Sequence, residues 1–398
     1  MGSHGIKDQV AIVGMGCTKF AEHWDKGLDE LLLWSTADAL DSVKLTKDDI
    51  DAFWLGVAGG NHSGQALARP LGVEKPVTRV ENFCATGSEA LRNAAYALAS
   101  RAYDLVMAVG VEKVKDTGYQ GLGGGGVAGR ADGTDRTLAA AAMFAMCAPA
   151  YAKKYGLADQ QMREVLARIS WKNHQNGARN ERAQFRKEVS METICNAPLM
   201  AGTLGVYDCS GVADGSAAAI LCRAEDAHKY TDTPLYVKGL SFIAGKGTGN
   251  SDPDYDYTRF PEIEHAGQDA YAQAGVTDPR AQIAMAEVHD CFTPAELLIY
   301  EDLGFAERGT AWKEVLNGTF DLDGDLPVNP DGGLKSFGHP VGASGMRMFF
   351  ENWLQLTGKA PPERRIKTAE RGLGLVHNLG GFPGEMVSFV GIVGTERD

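Results

Sequence analysis

Short apolar runs of strand length alternate along the chain with Ala-rich segments whose apolar positions repeat at helical spacing, the signature of a layered α/β fold. The runs recur twice in the same order. QVAIVGMG, AFWLGVAGG, VTRVENF, DLVMAVGVE and the strand beginning at Ser216 (SAAAILCR) make a first set. LYVKGLSFIAG, IAMAEVHD, a segment ending at SFGHP, GLGLVHNL and EMVSFVGIVG make a second. The pattern predicts two copies of one βαβ-rich unit with a helical insertion near residues 115–205: a first half in residues 1–114 plus 206–230, an inserted segment in 115–205, and a second half in 231–398.

Composition narrows the function classes. The 398 residues carry 39 Lys and Arg against 52 Asp and Glu, a net charge of −13, with 44% apolar and 23% charged residues. That is enough chain for two or three ordinary domains with cores of their own. An acidic chain is repelled by phosphate backbones, which disfavours a general nucleic-acid binder. The seven cysteines are odd in number and none lies within four residues of another, so neither a disulfide scaffold nor a zinc ribbon is expected, and no metal site is predicted. A reducing, cytoplasmic location fits these free thiols. No run approaches the ~20 apolar residues of a membrane span. The N-terminal segment lacks a cleavage site, and Ile6 stands where a myristoylation signal needs Ser or Thr. Glycine is abundant, 49 residues or about 12% against a usual ~7%, implying many close backbone approaches.

Charge is unevenly spread. From Lys115 to Gly205 twelve Lys and Arg face eight Asp and Glu, a net of +4, so the rest of the chain carries −17. A basic segment on an acidic protein predicts an anionic ligand there, with Lys172, Arg179 and Arg182 as candidate phosphate contacts; the alternative is a solvated helical face. Two glycine motifs fail as nucleotide sites. Gly14 and Gly16 follow a strand-like run, but the third glycine position of a dinucleotide fingerprint is Lys19, and residues 121–129 (GLGGGGVAG) lack the terminal Gly-Lys-Ser/Thr of a P-loop.

The chemistry concentrates elsewhere. KPVTRVENFCATGSEALRNAAYALA reads strand, turn, helix, with Leu91, Ala94, Ala95 and Leu98 at i, i+3, i+4 and i+7, so Cys84 lies at a helix entrance. The positive end of the helix predicts a lowered thiol pKa and a nucleophile. KSFGHPVGASG sets His339 among glycines where a ligand can approach, and EVHDCF sets His289 and Cys291 just after a strand. A histidine that takes a thiol proton and a second thiol that returns one meet the needs of nucleophilic acyl transfer. Each histidine alone could equally be structural. Asp214 is expected to fix a turn, and His174 to lie on a helix surface. Cys17, Cys147, Cys195, Cys209 and Cys222 read as small core residues, and Met143, Phe144 and Met146 as either acyl-pocket floor or core. Arg364, Arg365, Lys367 and Arg371 read as a solvated charge run.

FCATGSEA, EVHDCF, GGLKSFGHPVGASG and HNLGG, in this order, resemble the sterol-carrier-protein type of thiolase within the thiolase superfamily, and the likeness runs from the first strand to the last, through WKNHQNGARNERAQF and ADGSAAAIL. It implies a five-layered αβαβα fold of two pseudo-repeated halves, at least a homodimer, and coenzyme A thioesters as substrates, with CoA a co-substrate and no bound cofactor. By the same resemblance Cys84 matches the acylated nucleophile, His339 its activating histidine, His289 the oxyanion-hole histidine and Cys291 the acid/base cysteine. The N–H groups of Cys84 and Gly380 match a second oxyanion hole. Degradative and biosynthetic thiolases place their second cysteine in a C-terminal CxG segment where this chain has Asn378, which leaves that work to Cys291. The opening GCTKFAEHWDK is similar to bacterial members that work with a small zinc-ribbon/OB-fold partner, some of which cleave aromatic 3-oxoacyl-CoAs such as benzoylsuccinyl-CoA. The implied reaction is thiolytic cleavage of a 3-oxoacyl-CoA. Its rivals are biosynthetic Claisen condensation to acetoacetyl-CoA, a retro-aldolase, against which the retained Cys84 argues, and a non-catalytic lipid-binding subunit.

Overall fold

The computed structural model describes residues 4–60, 62–117, 140–249 and 252–398; the glycine-rich run 121–129 lies outside them. Its strands are β1 (Val10–Cys17), β2 (Ala52–Gly56), β3 (Val77–Val80), β4 (Leu105–Glu112), β5 (Leu199–Ala201), β6 (Leu204–Gly205), β7 (Gly215–Arg223), β8 (Leu235–Ala244), β9 (Ile283–Glu287), β10 (Leu373–Phe382) and β11 (Glu385–Gly394). The helices are α1 (Leu28–Val43), α2 (Gln65–Leu71), α3 (Thr86–Ala99), α4 (Ala140–Phe144), α5 (Cys147–Tyr155), α6 (Asp159–Ala178), α7 (Met191–Cys195), α8 (Pro261–Ala274), α9 (Pro279–Gln282), α10 (Thr293–Asp302), α11 (Ala311–Asn317), α12 (Gly333–Phe337) and α13 (Ser344–Leu356).

Nine strands hydrogen-bond in the order β3-β2-β4-β7-β1-β8-β11-β10-β9. β1 and β8 join over two residue pairs only, Ala11 with Tyr236 and Ile12 with Leu235, so the sheet bends there into two leaves. The order 3-2-4-7-1 on one side is mirrored by 9-10-11-8 on the other, the repeat visible in the apolar runs. β1 and β4 are buried along their whole length, as strands covered on both faces must be.

Between the leaves run α3 and α13, which touch each other and strands of both leaves, while α1 packs outside on β1 and β7 and α8 outside on β8 and β11. That gives the layers αβαβα. α13 is buried over nearly all its surface, including Arg347, Glu351 and Asn352, the behaviour of a central helix rather than a surface one. The helices cross on glycine. A Cβ on Gly87 would lie 2.8 Å from the Gly342 carbonyl oxygen, and one on Gly345 2.2 Å from Ser88 Oγ. Backbone approach at this crossing brings the two helix entrances together, and with them residues 84 and 339.

One expected strand is absent. The segment ending at SFGHP forms the short helix α12, and only a single parallel bridge, Ala286 with Val328, occupies the strand position beside β9. Gly332 and Gly333 take φ of +113° and +62°, and the Asp290 carboxylate accepts the N–H groups of Leu334 (2.6 Å) and Lys335 (3.1 Å). These contacts satisfy the first turn of a helix. The described part of segment 115–205 holds α4 to α7 and the paired short strands β5 and β6, and among the described residues no helix is long and apolar enough to cross a membrane.

Candidate active site

Cys84 ends the turn between β3 and α3. Its neighbour Phe83 holds φ +49°, an uncommon conformation for a side-chain-bearing residue that is kept only where surroundings enforce it. Here they do: Thr86 Oγ1 accepts the Asn82 N–H (2.9 Å) and donates to the Phe83 carbonyl (2.5 Å), and the Glu81 carboxylate accepts the Phe83 N–H (2.7 Å). The turn presents Sγ to a cavity of about 280 Å³ lined by Ala58, Phe83, Phe144, His289, Cys291 and Phe292, among others.

Cys84 Sγ and one ring nitrogen each of His289 and His339 lie within 4.8 Å of one another, with the two rings edge to face, centroids 5.3 Å apart. The outer hydrogen bonds decide which nitrogen carries a proton. Ser344 Oγ donates to the Pro340 carbonyl (3.0 Å), so toward His339 Nδ1 (2.6 Å) it acts as acceptor. His339 therefore holds its proton on Nδ1. Its Nε2 is buried with no hydrogen-bond partner and carries a free lone pair. His289 is opposite: Asn378 Nδ2 donates to its Nδ1 (2.9 Å), while Ser88 donates to Asn378 Oδ1 (3.2 Å). That assigns an Nε2–H to His289, a donor aimed into the cavity.

Burial pushes His339 down to about 3, with the Arg347 charge adding to it, and pushes His289 well below the ordinary imidazole range, with His339 adding. Both rings are neutral at physiological pH. The expected lowering of the Cys84 pKa is corrected: although the residue is partly open to the cavity, desolvation, and after it the Glu112 carboxylate, push its thiol up to about 12. These outweigh the helix end, so the resting site holds a neutral thiol beside a neutral imidazole.

Cys291 lines the same cavity, 3% exposed, and burial, followed by the proximity of Cys84, raises its pKa strongly. Its thiol keeps its proton at rest. Gly380 lies where only a glycine fits: an added Cβ would come 2.7 Å from Phe83 Cβ and 3.1 Å from the Cys84 nitrogen. Its backbone is thereby held against the Cys84 turn.

Four polar residues hold this arrangement: Ser88, Ser344 and Glu112, which sequence reasoning passed over, and Asn378, which it noted only as standing in a cysteine's place. The Glu112 carboxylate accepts the N–H groups of Ala58, Gly59 and Gly342, each at 3.0 Å, tying the loop after β2 and the turn before α13 to the end of β4. Glu112 ends an otherwise apolar strand, and a lone acid closing a buried run was the signal available.

The predicted phosphate contacts are not at this cavity. Lys172 is 4% exposed, its Nζ bonded to Glu296 (2.6 Å) and the Val328 carbonyl (2.7 Å), a buried ion pair with no face for a ligand. Arg179 and Arg182 line a different cavity with Phe350, Glu351 and Arg364; Arg182 also bonds the Cys17 carbonyl and stacks over Phe350. His174 is buried, not a surface residue, and Arg364 pairs with Glu351 inside the protein. Cys195 and Cys209 are half-buried. Met143 and Phe144 are buried while Met146 is exposed, and of the three Phe144 reaches the cavity. Asp214 does brace a turn, accepting from His23 N, Lys113 Nζ and Lys115 N.

The thiolase N-terminal domain family matches residues 10–225 and the thiolase C-terminal domain-like family residues 248–391. The chain belongs to the thiolase family. It is 36% identical to an acetyl-CoA acetyltransferase of Methanothermobacter thermautotrophicus over 94% of this chain and 97% of that one. It is 30% identical to the benzoylsuccinyl-CoA thiolase subunit BbsB of Thauera aromatica over 89% and 91%. Among solved structures it superposes on the Ltp2-ChsH2(DUF35) aldolase with a TM-score of 0.83 at 23% identity, covering 98% of this chain and 99% of that one. This thiolase-family chain is an acyltransferase.

Proposed function

We propose that the protein cleaves a 3-oxoacyl-CoA with free CoA through an acyl group carried on Cys84. The observation that carries the reading is the convergence of Cys84 Sγ, His289 and His339 within 4.8 Å, with an unprotonated Nε2 on one ring and an Nε2–H on the other. His339 Nε2 takes the Cys84 proton and the thiolate attacks the keto carbon. The N–H groups of Cys84 and Gly380 hold the resulting oxyanion. The carbon–carbon bond breaks to leave an acyl-enzyme and the enolate of the shorter acyl-CoA, its oxygen held by His289 Nε2–H and the protonated His339. Cys291 gives its proton to the enolate carbon and recovers one from the incoming CoA thiol. The CoA thiolate attacks the thioester, and the departing Cys84 thiolate takes its proton back from His339. Each enzyme group ends protonated as it began, with the CoA thiol proton replacing the one Cys291 gave to the product, and the same groups serve condensation by microscopic reversibility.

The cavity walls Phe83, Phe144 and Phe292 favour an apolar or aromatic acyl group, in line with the benzoylsuccinyl-CoA thiolase subunit. The archaeal acetyl-CoA acetyltransferase favours the second reading, acetoacetyl-CoA chemistry. We also infer a homodimer and a separate small zinc-ribbon/OB-fold protein as partner; the aldolase neighbour, a complex named for its DUF35 component, supports the latter. One panel tests these points: benzoylsuccinyl-CoA, acetoacetyl-CoA and intermediate 3-oxoacyl-CoAs, each with CoA, with and without the partner protein. Thiolysis of none of them under either condition refutes the reading, and full activity with no gain from the partner removes the dependence.

A further inference from the structure

We infer that Cys84, His289 and His339 also form a reversible inhibitory site for a thiophilic cation of the zinc type. Tetrahedral Zn²⁺ takes sulfur at ~2.3 Å and imidazole nitrogen at ~2.0–2.1 Å, which separates its donors by about 3.5 Å. The three donors here lie within 4.8 Å of one another, so side-chain rotations closing about 1 Å bring them to a metal. Three protein ligands with a fourth position open to the cavity is the arrangement of exchangeable zinc sites rather than closed structural ones.

The second shell suits a metal. His339 Nε2 is buried and without a partner, while its Nδ1–H is anchored on Ser344, the outer hydrogen bond that metal-binding histidines carry. His289 must free its Nε2 by moving the proton to Nδ1. Asn378 accommodates this by turning its amide, so that Oδ1 accepts from Nδ1–H and Nδ2 donates to the Ser88 hydroxyl, which accepts as readily as it donates. Both ends of the Asn378 amide and the Ser88 oxygen keep a partner, and only the Ser88 hydroxyl proton has to turn to a new acceptor. Both rings are neutral before the ion arrives, so neither has to lose a charge-bearing proton. One proton is released, from the Cys84 thiol to solvent. The Glu112 carboxylate, whose field disfavours a bare thiolate at Cys84, favours a cation bound there.

Metal and acyl group then compete for one sulfur. That competition rests on the acyl-enzyme reading, whereas metal capture does not. The test uses the full chain. Cd²⁺ is titrated while the thiolate-to-metal ultraviolet band is followed. Separately, chelator-buffered Zn²⁺ is present during brief, limiting iodoacetamide labelling read per cysteine by mass spectrometry. One equivalent of Cd²⁺ should saturate the band, Cys84→Ala should abolish it, and Cys195→Ala should leave it intact. His339→Ala should weaken binding more than about tenfold, the least that even an outer partner's loss costs. Zn²⁺ should protect Cys84 from alkylation, prior treatment with an acyl-CoA should keep Zn²⁺ out, and a chelator should restore labelling. An undiminished band in Cys84→Ala, or Cys84 labelling indifferent to Zn²⁺, overturns the site. If no substrate is turned over, the band and labelling arms still decide the metal question alone.

Discussion

Replacing Glu112 by Gln should lower stability and raise thiol reactivity at once, an opposition that separates its two effects. Oε2 of the carboxylate accepts from Ala58 and Gly342, and Oε1 from Gly59. A glutamine oxygen keeps the first pair as neutral bonds and turns an NH₂ group toward the Gly59 N–H. Hydrogen bonds to a buried charge contribute ~1.5–3 kcal/mol each, neutral ones about half that. One bond lost and two weakened, offset by relief of the desolvation that raises the Glu112 pKa, leave a net destabilisation of about 2–4 kcal/mol. The negative charge that raises the Cys84 pKa disappears as well. Urea unfolding should show the stability loss. Iodoacetamide alkylation of Cys84 followed against pH should show its midpoint move to lower pH. A midpoint that stays put or rises, in a variant still folded, would refute the assignment of Glu112 as the carboxylate that sets the thiol.

Cys291→Ala should accept an acyl group on Cys84 from an acyl-CoA, seen as a mass increment, while carbon–carbon turnover is lost; wild-type turnover in this variant would remove Cys291 from proton transfer. Lys172→Met should destabilise by ~3–5 kcal/mol, because Glu296 is left buried without its cation, and should not selectively weaken CoA. A folded variant of unchanged stability with poorer CoA affinity would reinstate the phosphate contact. His377 is wholly buried, both ring nitrogens unpartnered, and pushed by burial down to about 3. Being depressed, its neutral form stabilises the fold above about pH 6.5, and that contribution is lost as pH falls toward 3. His377→Leu should therefore spare the protein about 2 kcal/mol of acid destabilisation by pH 5. Parallel stability profiles for variant and wild type would contradict this. Because His339 also stays neutral well below pH 6.5, the acid limb of kcat/KM should show no inflection near that value.

The layered fold was readable because the strands are continuous apolar runs, the mark of sheets covered on both faces, and because the runs repeat. Leu91, Ala94, Ala95 and Leu98 are all buried on α3, as their spacing requires. The segment before His339 misled because its apolar residues Leu334 and Phe337 suit a strand and a short helix equally. The choice was made by Asp290, forty-odd positions upstream, capping the turn. The groups that converge at the cavity were legible from their local settings: a helix entrance, a glycine-flanked histidine, a paired His and Cys after a strand. Their protonation was not. It depends on Ser344, Asn378, Ser88 and on total burial, all of which arise from contacts between segments far apart in the chain. Positive charge in the insertion pointed to a ligand because sequence counts charges without their partners. Lys172 meets Glu296, and Arg163 meets Asp208.

The glycine crossing of α3 and α13 also sets the order in which reactivity can appear. Cys84 emerges early in synthesis, yet the side chains that converge on it, His289, Cys291 and His339, all come after residue 280, and Gly380 close to the end. Contacts so distant in sequence form late, and a chain released short of β10 has the thiol with neither Asn378 nor Gly380 beside it. Such a fragment lacks the amide that hydrogen-bonds His289 Nδ1 and the glycine backbone that packs against the Cys84 turn. The full convergence of groups around Cys84 is thus complete only once the last strands are in place.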